Sequence, residues 1–376
     1  MITKLAGTTP FELGEGAFQG LADHVVALGH GGNVLLVCDP FWADSETLSA
    51  MLDRLPAHVL FSDFAGEPKA AHIREAAAIG KDADAAVVVG IGGGSALDIA
   101  KLAAACAPLG LNPEDYAFAK VPFPTRGLPL ILVPTTAGTG SEANGTSVFS
   151  DASGRKLWAY DEALRADLAI LDPRLTASLP ANLTAWCGMD ALVHAFEAST
   201  SRWTNPVAQL YSHHALRLVT GALERAVSSP QDMEARAEML LGSFYAGFAI
   251  DNCGTAVAHN ISHSLATLGP VHHGLATALG FEASLPFVVS SGTADVEAAA
   301  RACGVNAARN LPDRITKLMD AIGIERRLPD TFGGADGARL SEIMKMPENA
   351  SMRGSTVPEL TDTDVDRIAR DVMALA

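Results

Sequence analysis

Four of the chain's eleven histidines fall within seventeen residues, Ala258 to Gly274, read AHNISHSLATLGPVHHG. His259 and His263 are four apart, so on a helix both rings leave one face a turn apart, as two donors aimed at one ion would. The pair Gly269 and Pro270 ends that helix, and His272 and His273 follow on a turn that can fold back toward it. Upstream, WCGMDALVHAFE repeats the spacing with Asp190 and His194, adding a hard carboxylate and another imidazole. Two short helical segments can thus present mixed nitrogen and oxygen donors to one metal. Such a set suits iron, zinc, nickel or cobalt better than magnesium or calcium, which take oxygen shells. Any one of these histidines alone is better explained by the core or the surface; the joint pattern points to a metal.

The elements that must position these residues read as two kinds of segment. In the first half, 33–38 (NVLLVC), 58–61 (HVLF), 85–89 (AAVVV) and 128–133 (LPLILV) read as strands buried on both faces. Between them, 18–28, 45–55, 69–80 and 95–107 have helical spacing or composition, and this alternation predicts a mostly parallel sheet covered on both sides. From about Pro180 the strand signal stops, and 206–227, 232–249 and 293–308 carry apolar residues at helical spacing. The expectation is an α/β dinucleotide-binding domain over 1–179 and an all-α metal- and substrate-binding domain over 180–376. Both histidine segments then lie on the helical side, facing the sheet across a cleft.

At 376 residues, 48% apolar and 19% charged, the chain can bury two cores. A net charge of −16 without a Lys/Arg run opposes nucleic acid and anionic membranes, which need a basic patch. The start, MITKLAGTTPFELG, has no signal-like apolar run, and nowhere does an apolar stretch approach the ~20 residues that span a bilayer. Five scattered cysteines without CxxC pairs read as reduced thiols. A soluble, cytoplasmic protein is expected.

Three loops speak to a cofactor. After AAVVV comes GIGGGSALDIAK, a glycine turn opening into a helix whose unpaired N–H groups and dipole suit a pyrophosphate. It departs from GxGxxG, since Ser95 takes the last glycine's place. Asp39 follows NVLLVC, where a carboxylate can accept from a ribose diol and repel a 2′-phosphate, favouring NAD over NADP; a plain turn or cap before Pro40 is the competing explanation. The stretch VPTTAGTGSE offers hydroxyls and N–H groups to a phosphate or a nicotinamide ribose, or is a plain connection.

Taken in order, GGGSALDIAK, PTTAGTGSE, DALVHAFE and AHNISHSL followed by HHGLATAL resemble the iron-containing (group III) alcohol dehydrogenase family from the strand before Asp39 to about Leu285. The resemblance implies a Rossmann-like dinucleotide-binding domain joined to a helical metal-binding domain. It implies Asp190, His194, His259 and His273 as metal ligands, His273 being preferred to His272 because the family's histidine immediately precedes the glycine. His263 matches a further histidine near substrate and nicotinamide. Gly92, Gly93, Gly94, Ser95 and Asp98 match the pyrophosphate loop, and Thr135, Thr136, Thr139 and Lys156 match positions around the nicotinamide half. Maleylacetate reductases lack the metal-binding acid that Asp190 supplies here. Dehydroquinate synthases use a glutamate with two histidines and basic residues around a phosphorylated substrate, whereas no lysine lies between Lys156 and Lys317. The chain departs from the family near its end, where ENASMRGSTVPELTDTDV replaces an Asn-Pro-Arg stretch; Arg353 there is better explained as a solvated surface arginine than as a partner for an acidic substrate group.

These readings converge on reversible hydride transfer between a small primary alcohol, or its aldehyde, and NAD, assisted by Fe(II) with Zn(II) as the alternative. His263 would carry the released proton. The rival is a metal-dependent lyase or cyclase that uses NAD transiently on the same fold. A homodimer is what the family implies.

Overall fold

The computed structural model describes residues 5–333 and 336–375. Contacts sort them into two compact units, one built from Ala6–Thr136 and Gly140–Ser178, the other from Ala137–Thr139 and the described residues from Leu179 onward, with Leu5.

The first unit carries a six-stranded parallel sheet, order β1-β8-β5-β4-β2-β3, with β1 Phe11–Leu13, β2 Asn33–Cys38, β3 His58–Phe61, β4 Ala85–Gly92, β5 Leu130–Pro134 and β8 Leu168–Leu171. Its helices are α1 Leu21–Gly29, α2 Pro40–Ala43, α3 Glu46–Leu52, α4 Ala70–Asp82 and α5 Gly94–Cys106. Side chains alternate across each strand, and both faces of the central strands β2, β4 and β5 are buried. Leu35, Val37, Val88, Leu130 and Leu132 pack with Ile73, Ala76, Leu97 and Ile99 of α4 and α5. Val34, Leu36, Val87, Val89 and Val133 take the other side, with Leu21 and Val25 of α1 and Leu48 and Met51 of α3. Three of the four apolar runs, 33–38, 85–89 and 128–133, are thus the paired central strands. A two-stranded antiparallel sheet, β6 Thr146–Ser150 and β7 Lys156–Tyr160, stands apart from the six.

Among the described residues no strand follows Leu171. The second unit is built from α6 Ala181–Thr200, α7 Pro206–Ser228, α8 Met233–Asp251, α9 Val257–Leu268, α10 His273–Val289, α11 Ala294–Ala302, α12 Leu311–Ala321, α13 Gly337–Met344, α14 Ala350–Ser355 and α15 Asp362–Met373. Its central element is α6, which packs on α7, α8 and α10 and is buried at every residue from Gly188 to Thr200. Gly188 permits that packing, because a Cβ there would lie 2.2 Å from Leu223 Cδ1 of α7. A helix buried all round has no polar face, so any charged group it carries must be compensated inside.

Three expectations need correction. The stretch 58–61, read as buried on both faces, is the edge strand β3, with His58 and Leu60 exposed. The helix expected over 293–308 stops at Ala302, because Gly304 turns the chain at φ +82°. His272 and His273 do not follow on a turn: His272 caps α10, accepting from Gly274 N at 3.2 Å, and His273 is that helix's first residue. Among the described residues no helix is long and apolar enough to cross a membrane.

Candidate metal centre

Asp190 on α6, His259 on α9 and His273 on α10 each offer one ligand atom, and the three atoms lie within 4.8 Å of one another. The Nε2 atoms of His259 and His273 each stand 3.5 Å from Asp190 Oδ1, too far for a good hydrogen bond. Asp190 Oδ1 and His259 Nε2 are buried without a hydrogen-bond partner. Leaving such groups unmatched costs about 1–3 kcal/mol each, more when charged, so a cation between them fits where nothing in the chain does. The mixed carboxylate and imidazole set suits iron or zinc.

His194, one turn along α6, is held more loosely. Its ring stacks on that of His259 at 4.3 Å, and its Nδ1 is 3.9 Å from Asp190 Oδ2; it is not among the three closely grouped donors. His263, half-buried, lies beside them with its ring centre 5.9 Å from that of His273. His272 is exposed, its ring 4.9 Å from Trp186.

Each of the three ligand-type rings has a partner at Nδ1. His194 donates to Gly138 O at 3.3 Å, and His259 donates to Glu197 Oε2 at 2.7 Å. His273 meets Ser262 Oγ at 3.1 Å, and the hydroxyl can send its own proton to His273 O at 3.2 Å. A carbonyl and a carboxylate only accept, so these contacts place protons on Nδ1 and leave Nε2 for an ion. Glu197 is the residue the sequence reading passed over. Its only sequence signal is a place three residues after His194 and seven after Asp190, on one helical face.

Burial alone would raise the Asp190 carboxyl, yet the imidazoles of His194, His273 and His259 hold it well below the usual carboxylate range. Burial pushes His194 down to about 4 against the pull of Asp190. For His259 burial acts in the same sense, but Glu197 and Asp190 together raise it to about 9. An ion held there would take the place of any proton on its Nε2.

In the sheet unit, the register brings three of the candidate cofactor loops together at the C-terminal ends of β2, β4 and β5. Asp39 N donates to Ile91 O at 2.8 Å and Thr135 N to Gly92 O at 2.9 Å. Gly92, at φ +149°, leaves no room for a side chain, since a Cβ would lie 2.7 Å from Ala96 Cβ and 2.8 Å from Asp39 Cβ. Gly93 caps α5, Gly94 and Ser95 open it, and Thr136 lies against Gly93. Asp39 also caps α2, accepting from Phe41 N at 3.0 Å. Asp98 is buried and accepts from Ser141 Oγ at 2.6 Å and Val148 N at 2.9 Å, tying α5 to the loop after β5 and to β6. Lys101, fully buried, donates to Ser141, Asn144 and the Thr146 carbonyl of the same stretch. Lys156 opens β7 and is ion-paired with Glu67 at 2.8 Å. Thr139, beside Gly138, belongs with the helical unit. Arg353 is 3.5 Å from Asp362.

The family profile described as "Iron-containing alcohol dehydrogenase" matches residues 9–173, and "Fe-containing alcohol dehydrogenase family, C-terminal" matches 184–373. The chain belongs to the iron-containing alcohol dehydrogenase family. Like its relatives in this family, it is an oxidoreductase. It is 36% identical over 284 residues to long-chain-alcohol dehydrogenase 1 of Geobacillus thermodenitrificans, covering 74% of this chain and 70% of that protein. It is 32% identical over 269 residues to the NAD-dependent methanol dehydrogenase of Bacillus methanolicus, covering 70% of each. Among solved structures, sulfoacetaldehyde reductase of Bifidobacterium kashiwanohense in complex with NAD+ superposes with a TM-score of 0.91 at 29% identity over the whole of both chains.

Proposed function

We propose that this iron-containing alcohol dehydrogenase interconverts a small primary alcohol and its aldehyde with NAD as hydride partner. The observation that carries the reading is the group of buried Asp190, buried His259 and half-buried His273, with two of its polar atoms left unmatched. Asp190, His194, His259 and His273 would hold the ion, which in the family is iron, with Zn(II) as the alternative. When bound, such an ion supplies Lewis acidity toward an alcohol oxygen, favouring loss of its proton near neutral pH. The chain's residues do the rest. His263, beside His273, would carry the hydroxyl proton outward, and bound NAD would supply the hydride acceptor. Asp39 selects the unphosphorylated ribose by charge. Gly92, Gly93, Gly94 and Ser95 offer backbone N–H groups at the start of α5 to the pyrophosphate. Asp98 shapes the loop after β5 that carries Thr135, Thr136 and Thr139. Lys156 completes the set toward the nicotinamide half. The relatives named for methanol, long-chain alcohols and 1-propanol support a primary alcohol as substrate.

We further propose a cytoplasmic homodimer. The five cysteines are unpaired, which fits a reducing compartment. The strand β1 ends the sheet with Phe11 and Leu13 each 38% exposed, an edge of the kind another copy can cover.

The test is NADH formation by protein reconstituted separately with Fe(II) and Zn(II), over a panel of short primary alcohols and diols. Activity with metal that is lost together with metal binding in Asp190→Ala supports the reading. Full metal binding in Asp190→Ala refutes the centre, and absence of net NADH with every alcohol refutes the reaction.

A further inference from the structure

Glu197 makes three hydrogen bonds to one short segment. Its Oε2 accepts from Ala256 N at 2.6 Å and from His259 Nδ1 at 2.7 Å, and its Oε1 accepts from Ala258 N at 2.7 Å. Ala256 is the N-cap residue of α9, and no side chain of that segment caps the helix. A helix start with unsatisfied N–H groups is costly when buried, and the buried Glu197 carboxylate, reaching across from α6, fills the gap. The same carboxylate holds the ring of a residue in the first turn it caps. Backbone and ring of His259 are therefore fixed by one group, which sits on the same rigid helix as Asp190.

We propose that Glu197 is the positioning residue of the metal centre. It holds His259 with the proton on Nδ1 and Nε2 directed at Asp190, and it sets the α9 backbone from which that ring projects. The inference rests on the proposed metal centre. Glutamine has nearly the same shape but only one accepting oxygen, so it cannot satisfy all three donors. In either orientation its NH2 group faces a backbone N–H, and in one of them it invites the opposite His259 tautomer, with Nε2 protonated and closed to an ion. Aspartate keeps the charge but is one methylene short of a carboxylate contact held at 2.6–2.7 Å.

The experiment measures dissociation constants for Zn(II) and Co(II), each metal alone, by competition with a chelating dye, with the visible spectrum of the Co(II) form and far-ultraviolet circular dichroism alongside. Glu197→Gln is expected to weaken binding by about 10–100-fold and to alter the Co(II) spectrum, as loss of a group behind a ligating imidazole does. Glu197→Asp should recover part of the affinity. Glu282→Gln, which removes a partner of Arg326 on α10, is the control for general loosening and should leave both readouts unchanged. A folded Glu197→Gln protein with unchanged affinity and spectrum overturns the proposal. Asp190→Ala separates the two levels: if it too binds metal normally, the centre itself is wrong, and if it alone loses metal, only the role of Glu197 is. Should the glutamine variant not fold, nitrogen NMR of 15N-histidine-labelled parent protein loaded with Zn(II) decides. His259 ligating through Nε2 with a proton on Nδ1 supports the proposal; ligation through Nδ1 overturns it.

Discussion

Replacing Gly138 by alanine adds one methyl group where the chain has no room for it. The new Cβ would lie 2.9 Å from Cys187 Cβ, 2.9 Å from Cys187 O and 3.0 Å from Cys187 Cα. Ordinary contact begins near 3.4 Å, so something must move by about half an ångström, and overpacking of this kind costs about 1–3 kcal/mol. Cys187 belongs to α6, anchored by α7, α8 and α10, so the loop is what yields. The His194 bond to Gly138 O is already 3.3 Å long, and a shift of that size away from α6 carries it past useful hydrogen-bond length. His194 then loses the acceptor that keeps its proton on Nδ1. The expected result is metal affinity weakened by about 10–100-fold, or about 1.4–2.7 kcal/mol, measured by competition with a chelator. NAD binding, followed by quenching of protein fluorescence, should persist. Parent-like metal affinity in a folded Gly138→Ala protein would refute the reasoning.

Three further outcomes are expected. Replacing His263 by phenylalanine should lower turnover by about 100-fold with metal content intact, because it removes a proton carrier and no ligand; an unchanged rate removes His263 from the chemistry. Asp39→Asn keeps an acceptor for Phe41 N but loses the charge, so the preference for NAD over NADP in kcat/KM should fall by about 10-fold or more; an unaltered ratio rejects the assignment. Burial pushes the Glu142 carboxyl up to about 7 from 4.5. Because the folded state then binds this proton more tightly than the unfolded chain, Glu142's own contribution to stability is most favourable below pH 4.5 and falls as pH rises to 7. Glu142→Gln removes that fall, so in urea unfolding its advantage over the parent should grow toward about 3 kcal/mol above pH 7; parallel pH profiles would reject the argument.

How far the sequence revealed this architecture depended on how each element is buried. The central strands β2, β4 and β5 are sealed on both faces and read as unbroken apolar runs. The missed strands are weaker: β1 is three exposed residues, β8 is four residues long, and β6 and β7 alternate buried with half-exposed positions. At the candidate centre, the spacing of Asp190 with His194 and of His259 with His263 was visible because a helix turns it into a shared face. What holds those rings was not visible. Gly138 contributes a backbone carbonyl, which carries no residue-type signal, and Glu197 meets His259 across 62 positions of chain. Asp98 was legible as part of a loop motif, but its bonds to Ser141 and Val148 depend on where the chain returns.

The helix α6 is at once the centre of the helical core and the carrier of Asp190, His194 and Glu197. Folding and chemistry therefore draw on the same twenty residues. A change that loosens the core loosens the ligands, and a change that retunes the ligands must be accommodated by close-packed neighbours such as Leu223. Selection has little freedom to diversify substrates along this helix. New specificities, whether natural or engineered, are better sought in segments that approach the reacting carbon without sharing the core's packing.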